Sequence, residues 1–482
     1  MIMPVRSAAD LMPLLPELVL VLGAFALLML DLFLDDRRRV VTHVCAIGLL
    51  LVAGLMVAMG VGGQGTVLGG MFVRDTTADV LKVGIAIVSA ISMVYAWPYL
   101  RERGLYKGEV AVLMLFATLG MMLMVSANSL VMVYVGLEML ALCSYALVVT
   151  DRDSPIASEA GIKYFVLGAL ASGLLLYGMS LVYGATGSLD LATISAAAEG
   201  NSSTMLVTGI VFMVAGIAFK FGAAPFHMWL PDVYHGAPTA ITIFIAAAPS
   251  LASFGMAYRL LQEAGGPLSG HWQLMLGGLA AISLVIGNLS ALVQTNIKRM
   301  LAYSTVSHVG FLFMGLAGGE SGMAAAMFYA LNYALTTAAG FGAVVVLSRK
   351  GFEADRIEDF KGLNARSPML ALMVLFVMAS LAGVPPFLGF WAKLAVLQAA
   401  LEGGMMWLAI VGIVFTVIGA FYYLRVIKAM YFDEPAGDVP APSSHRPLRW
   451  TFGLNALALL VLGLGWSPIM AWCQRAFEVA AG

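Results

Sequence analysis

Seven ionisable side chains stand where the sequence is otherwise apolar, and their types suit proton transfer. Glu138 lies mid-run in Val131-Met132-Val133-Tyr134-Val135-Gly136-Leu137-Glu138-Met139-Leu140, and Lys220 follows Ala218-Phe219. Lys82, Lys163 and Lys393 also sit inside apolar runs, and His308 is central in Leu301-Ala302-Tyr303-Ser304-Thr305-Val306-Ser307-His308-Val309-Gly310. His227 closes a glycine- and proline-broken stretch. A charge at a bilayer centre costs about 3 kcal/mol, and such residues usually line a bundle interior, pair, or mark an ion path. A lysine near a helix end instead reaches the headgroups, and Lys82 and Lys163 lie within about one turn of the expected helix starts. Snorkelling is therefore the expectation for Lys82 and an equal alternative for Lys163. Glu138 and Lys220 are too central for it. Imidazole titrates near neutral pH, so His308 suits a proton relay as well as a simple hydrogen bond to a neighbouring carbonyl.

The elements that must position these groups are membrane helices. Of 482 residues 61% are apolar and 11% charged, with a mean hydropathy of +0.93. A soluble chain carries about a quarter charged residues. Hydrophobic segments are expected near 17–34, 40–61, 78–99, 109–126, 129–149, 161–184, 204–234, 238–262, 273–294, 298–317, 323–348, 367–401, 404–431 and 448–475. Each is long enough to span a bilayer. The class is an all-α polytopic membrane protein of about 14 transmembrane helices, counted by this apolar periodicity. The first stretch lacks a strongly basic lead-in and a clear cleavage site, so it is read as a retained helix.

Basic residues test that count. The loops after helices 1, 3, 5, 9, 11 and 13 hold Arg37, Arg38, Arg39, Arg101, Arg103, Lys107, Arg152, Lys298, Arg299, Arg349, Lys350, Arg356, Lys361, Arg366, Arg425, Lys428, Arg446 and Arg449. The other side holds only Arg6, Arg74, Arg259 and Arg475. The asymmetry puts the first set in the cytoplasm and both termini in the periplasm. The basic residues left over are Lys82, Lys163, Lys220 and Lys393.

Two segments are too long for one straight crossing. One contains Gly222-Ala223-Ala224-Pro225-Phe226 and the other Gly383-Val384-Pro385-Pro386-Phe387, an offset of 161 residues. Glycine loosens a helix and proline removes a donor while clashing with the preceding turn. Such a break is tolerated in hydrocarbon only where protein or a wet cavity satisfies the backbone. Matching breaks in two halves point to a transport site. The broken helix is the fourth of five in helices 4–8 and again in helices 9–13, so helices 7 and 12 correspond. An odd number of spans inverts the second copy. The domains expected are 1–108 (helices 1–3), 109–263 (first repeat), 264–431 (second, inverted repeat) and 432–482 (helix 14). The simplest reading is two inverted half-channels, each with a titratable centre.

Other signals carry nothing. Gly60-Val61-Gly62-Gly63-Gln64-Gly65 matches a dinucleotide fingerprint but lacks a βαβ unit. Cys45, Cys143 and Cys473 have no metal spacing and read as core residues. No metal site and no cofactor-binding segment is expected in this chain, and a net charge of −1 suggests no nucleic-acid partner.

The stretch Phe219-Lys220-Phe221-Gly222-Ala223-Ala224-Pro225-Phe226-His227-Met228-Trp229-Leu230-Pro231-Asp232-Val233-Tyr234-His235-Gly236-Ala237-Pro238-Thr239 resembles the signature of the antiporter-like subunits of respiratory complex I and of multisubunit Na⁺/H⁺ antiporters. The likeness covers nearly the whole chain, through Leu15-Pro16-Glu17-Leu18, Gly136-Leu137-Glu138 and Gly383 to Lys393. Leu137, where one sibling has tryptophan, and the short stretch after residue 475, too short for the lateral helix of the longest sibling, set it apart from those two.

The resemblance implies that Glu138, Lys163, Lys220 and Lys393 carry proton translocation, with His227, His308, Tyr303 and Ser250 as relay candidates. Ser250 is a departure, since the family usually has lysine there, and serine cannot carry that charge. It further implies an inner-membrane subunit that binds no cofactor itself, with NADH, FMN, iron–sulfur clusters and quinone on partner subunits. Its partners would be other complex I membrane subunits, including neighbouring antiporter-like ones, and the lipid bilayer. The implied function is redox-driven proton export through two linked half-channels, as a non-redox subunit of a translocase with no activity in isolation. The alternative is a subunit of a multisubunit Na⁺/H⁺ antiporter.

Overall fold

Helix starts follow local chemistry. Ser129 Oγ accepts from the Met132 N–H at 3.2 Å, Ser154 Oγ from Ala157 at 3.3 Å and Asn296 Oδ1 from Arg299 at 3.1 Å. These caps satisfy donors that no helical carbonyl reaches. Pro155 opens its helix at a position where the missing N–H costs nothing.

The computed structural model describes residues 8–435, 440, 442, 443 and 445–478. Its helices are α1 (Leu15–Asp31), α2 (Val40–Ala58), α3 (Thr76–Glu102), α4 (Gly108–Val125), α5 (Leu130–Val148), α6 (Pro155–Thr186), α7 (Leu191–Ala198), α8 (Thr204–Phe221), α9 (Trp229–Gly236) and α10 (Thr239–Ala257). There follow α11 (Ser269–Leu292), α12 (Ile297–Ala317), α13 (Glu320–Leu347), α14 (Leu363–Arg366), α15 (Pro368–Ala382), α16 (Leu388–Glu402), α17 (Met406–Phe432), α18 (Arg446–Leu464) and α19 (Trp466–Glu478). Among the described residues, 13 helices are long and apolar enough to cross a membrane. The remaining expected segment, 367–401, is the pair α15 and α16, which brings the spans to the number read from sequence. A short antiparallel hairpin, β1 (Gly65–Val67) and β2 (Phe72–Arg74), joins α2 to α3 with Gly65 opposite Arg74.

Burial sorts the bundle. α10, α12 and α13 are almost wholly enclosed, whereas α1, α2, α6, α17 and α18 turn much of their surface outward. Leu22, Phe25, Leu170, Val417 and Leu454 are among the exposed apolar side chains of that outer set, as expected of surface that meets lipid rather than water.

Four expectations change. Residues 448–475 are not one helix, because Gly465 and Pro468 interrupt them and α19 starts afresh. Proline is tolerated in the first turn of the new helix but not inside the old one. α19 folds back along α3 and α13, and Thr77 Oγ1 donates to the Ala476 carbonyl at 2.9 Å.

Lys82 does not snorkel. It is fully buried and pairs with Glu17 of α1 at 2.6 Å, with its ammonium 4.7 Å from the Phe72 ring centre. The β2 residue Phe72 and α1 close the route to the helix end.

Lys163 lies deeper in its helix than its spacing suggested, since α6 starts at Pro155, and it reaches Glu159 at 2.8 Å and Asp232 at 2.7 Å. Of the cysteines only Cys473 is core; Cys45 is exposed and Cys143 half-buried.

Candidate proton path at two broken helices

Both breaks are built alike. α8 ends at Gly222 with φ of 75°, and α15 ends at Gly383 with φ of 85°. This left-handed conformation favours glycine and turns the chain out of the helix. The freed backbone finds side-chain partners. The Ala224 N–H donates to Ser283 Oγ at 2.9 Å, the Trp229 indole to the Phe219 carbonyl at 3.0 Å, and the Gly389 N–H to Ser380 Oγ at 3.3 Å.

A lysine sits at each break. Lys220 is in the last turn of α8, at the carbonyl end where the helix dipole favours a cation. Lys393 belongs to α16 but reaches back to the carbonyl end of α15, donating to Leu381 at 2.9 Å and Ala382 at 3.1 Å.

The surroundings of Lys220 are hollow. It shares a cavity of about 20 Å³ with Glu138, Tyr145, Ser172 and Trp229. Glu138 accepts a hydrogen bond from Ser172 Oγ of α6, and no direct ion pair joins Glu138 to Lys220 among the described residues. On its other side Lys220 opens into a second cavity of about 30 Å³, lined by Tyr164, Ser250, Ser253, Thr305, His308 and Tyr333. A water needs about 10–15 Å³ on this measure, so the second cavity has room for about two of them. Ser250 Oγ donates to the Ala247 carbonyl of its own helix at 2.7 Å, leaving its lone pairs free for water.

His308 occupies the far wall and is 5% exposed. Its Nδ1 contacts the Tyr329 hydroxyl at 2.6 Å and its Nε2 the Tyr423 hydroxyl at 3.2 Å. Tyr423 also meets Ser304 and lies 3.4 Å from the Tyr422 hydroxyl, which bonds Asn288 Oδ1 at 3.1 Å. Beyond Tyr329, the Phe311 ring is stacked at 6.0 Å and carries the Lys393 ammonium at 5.3 Å.

The structure thus brings together Glu138, Lys220, Ser250, His308 and Lys393. It leaves His227 and Tyr303 beside this line, their rings 6.3 Å apart, with His227 Nδ1 buried and without a protein partner among the described residues. Lys163 is also off the line. Asp232 of α9 holds it, and the same carboxylate takes Arg299 of α12 at 2.8 Å. The far end of α9 is tied down too, through His235 and Asp355 at 3.8 Å. The nearby His235 ring, then the hydrogen bond from the Asn296 amide, hold the Asp355 carboxyl in its loop below the usual carboxylate range.

Comparison with known proteins agrees with this architecture. The family described as NADH:quinone oxidoreductase/Mrp antiporter, TM, matches residues 127–419, which include both breaks. NADH-quinone oxidoreductase subunit N of Xanthomonas euvesicatoria pv. vesicatoria is 65% identical over 98% of this chain and 97% of its own. The chain belongs to the NADH-quinone oxidoreductase subunit N family. The subunit N of Acidithiobacillus ferrooxidans is 51% identical over 96% of this chain and 97% of its own. A chain of respiratory complex I from Thermus thermophilus superposes with a TM-score of 0.82 at 30% identity, over 95% of this chain and 98% of that one. A chain of the Mrp complex from Dietzia has a TM-score of 0.83 at 23% identity, covering 98% and 97%, a likeness of fold.

Several members of the site carry no signal of charge in the sequence. Tyr329, Tyr422, Tyr423 and Asn288 read as ordinary residues of apolar helices, and only the packing of α11, α12, α13 and α17 joins them. Asp232 sits in the family's signature stretch, where a carboxylate next to a broken helix was the available clue. Glu17 was hidden because it looked like a helix-end acid.

Proposed function

We propose that this chain is a proton-translocating membrane subunit of NADH-quinone oxidoreductase, moving protons from cytoplasm to periplasm through two linked half-channels. Helices 4–8 and 9–13 are read as inverted repeats, supported by the twin glycine breaks and the lysine at each. The observation that carries the reading is the line Glu138, Lys220, Ser250, His308, Lys393 through the middle of an apolar bundle. Titratable groups so placed are costly unless they serve transport or pair directly, and these form no direct ion pair among the described residues.

Glu138 faces Lys220 across a cavity rather than gripping it. An opposite charge across the cavity attracts the lysine's ammonium without gripping it. When quinone reduction elsewhere in the complex perturbs Glu138, Lys220 gives its proton to the water beside Ser250. The proton moves by way of His308 toward Lys393, whose release to the periplasm completes the passage. Lys220 then reloads from the cytoplasm. Export against 100 mV takes about 2.3 kcal/mol per proton, which must come from the partner subunits that carry the redox chemistry. In this reading both termini are periplasmic and the complex sits in the inner membrane.

Lys220→Met in the assembled complex should depress proton pumping per NADH and coupled turnover by about tenfold or more. Wild-type pumping per electron in that variant would remove Lys220 from the path.

A further inference from the structure

We propose that the groove where α2 and α18 flank α3 binds one diacyl phospholipid with an ethanolamine-type headgroup, its phosphate on Arg101 and its ammonium on Glu102. The proton-carrying reading plays no part in this, since no member of the line from Glu138 to Lys393 borders the groove. The starting observation is a cavity of about 470 Å³ at the end of α3, walled by His43 and Val44 of α2, Trp97 and Arg101 of α3, and His445 at the start of α18. Clefts of about 300–1,000 Å³ are the size that takes small-molecule ligands.

Below the cavity, α3 is uncovered along a single stripe. From Gly84 to Arg101 every residue is buried except Ile87, Ile91, Val94, Trp97 and Arg101. Their spacing of four, three, three and four puts them on one helix face. Val94 forms part of the cavity wall and Ile87, at 45% exposed, marks the deep end of the stripe. Ten residues separate Trp97 from Ile87, about 15 Å of helix rise. That is half of the roughly 30 Å hydrocarbon core, the depth of one leaflet. A strip one side chain wide takes an acyl chain, whereas a helix about 10 Å across needs a broader face.

The mouth suits a phosphate beside a primary ammonium. The Arg101 guanidinium lies 5.3 Å from the Trp97 ring centre, where the ring quadrupole favours a cation. Trp97 is itself fixed, with Tyr106 edge-on at 4.5 Å and His43 at 5.3 Å. The Met93 carbonyl can only accept, so His43 Nε2 donates to it at 2.8 Å and Nδ1 takes the Tyr106 hydroxyl proton at 3.1 Å. Both nitrogens of that ring are thus used inward. Arg101, the Trp97 indole and the His445 ring remain to meet a phosphate oxygen, and tryptophan in membrane proteins commonly sits at headgroup level. Glu102 answers the other charge. Its Oε1 accepts from the Lys350 N–H at 3.2 Å, and its Oε2 has no partner among the described residues. A carboxylate next to the guanidinium repels a purely anionic headgroup and attracts an ammonium. A quaternary ammonium has no N–H for that oxygen, and the aromatic face that would cradle it carries Arg101.

The test uses the complete complex in lipid nanodiscs and a phosphatidylethanolamine whose acyl chain carries a photoactivatable diazirine. Labelling should map to Ile87 and Ile91, and unlabelled phosphatidylethanolamine should compete at about tenfold lower concentration than phosphatidylglycerol or phosphatidylcholine. Arg101→Gln should cut labelling about tenfold, the value of one charge-assisted hydrogen bond to the phosphate. Glu102→Gln should remove the preference over phosphatidylglycerol. Val94→Trp leaves the charged mouth intact, fills the groove and should block labelling, so the site stays testable if Arg101→Gln does not assemble. Labelling unchanged in both Arg101→Gln and Val94→Trp would overturn the site. Competition by phosphatidylglycerol as strong as by phosphatidylethanolamine would overturn the headgroup assignment in favour of an anionic lipid. Disulfide or photo-cross-links from Ile87→Cys to a partner subunit, in place of lipid, would show that a protein helix fills the groove and would overturn the proposal as a whole.

Discussion

The two breaks share a backbone and differ in what answers their lysine. At the first, Lys220 looks across a cavity to a carboxylate on another helix. At the second, Lys393 is capped by the carbonyls of Leu381 and Ala382, the severed end of its own pair of half-helices. A carboxylate can gain or lose its charge; a carbonyl cannot. The first lysine is therefore set by chemistry at a neighbour and the second by the shape of the break. This teaches that two breaks can share one geometry and differ in the source of their electrostatic control.

The largest effect expected comes from a lysine away from both breaks, which serves as the reference. Lys82 and Glu17 form a buried, direct pair. Lys82→Met alone leaves the carboxylate buried and should cost about 3–5 kcal/mol, seen as loss of assembled complex, while Glu17→Gln with Lys82→Met should recover much of it. Equal losses in the single and double variants would mean the pair is not the stabilising unit. Lys220→Met, by contrast, should assemble and fail only in pumping.

A smaller and more selective effect separates the breaks themselves. A Cβ at Gly383 would stand 2.9 Å from Lys393 Cδ, whereas at Gly222 it would meet the Leu230 side chain. Both alanine variants bear the left-handed strain of about 1–2 kcal/mol. Gly383→Ala should lose pumping beyond its loss of stability, and Gly222→Ala should lose the two in proportion, measured as pumping per assembled complex. Matching ratios in the two variants would erase the distinction drawn between shape and charge.

The smallest effect belongs to the link. Ser250 is satisfied by its own helix, so Ser250→Ala should leave pumping within about twofold of wild type, the net value of one hydrogen bond to water. A larger fall, read as NADH-driven proton uptake into vesicles, would place the serine hydroxyl itself in the chain between the halves.

Much of this was legible in the residues. The spans, their number, the breaks at Gly222 and Gly383, and the central Glu138 and Lys220 all follow from hydropathy and from proline and glycine chemistry. Lys82 was misread because helix ends look solvated in sequence, and nothing there reveals that Phe72 and α1 cover this one. The polar cluster around His308 was illegible for a different reason. Tyrosines count as apolar in a membrane span, and only the meeting of four helices turns their hydroxyls toward one ring. The split between α18 and α19 was written in Gly465 and Pro468, yet hydropathy runs straight through it.

The position of α19 has a bearing on how the molecule is made. It is the most C-terminal helix among the described residues, yet it lies on α3, near their start, and on the enclosed α13. Its Phe477 also meets Tyr258 at the end of α10, at 5.2 Å. The bundle therefore cannot close until α19 has been made: α3 and α13 stay partly uncovered until it packs on them. A chain stopped after α18 should insert normally but stay protease-sensitive at the α2–α3 hairpin, and equal protection of chains with and without α19 in pulse–chase proteolysis would show that closure does not wait for that helix.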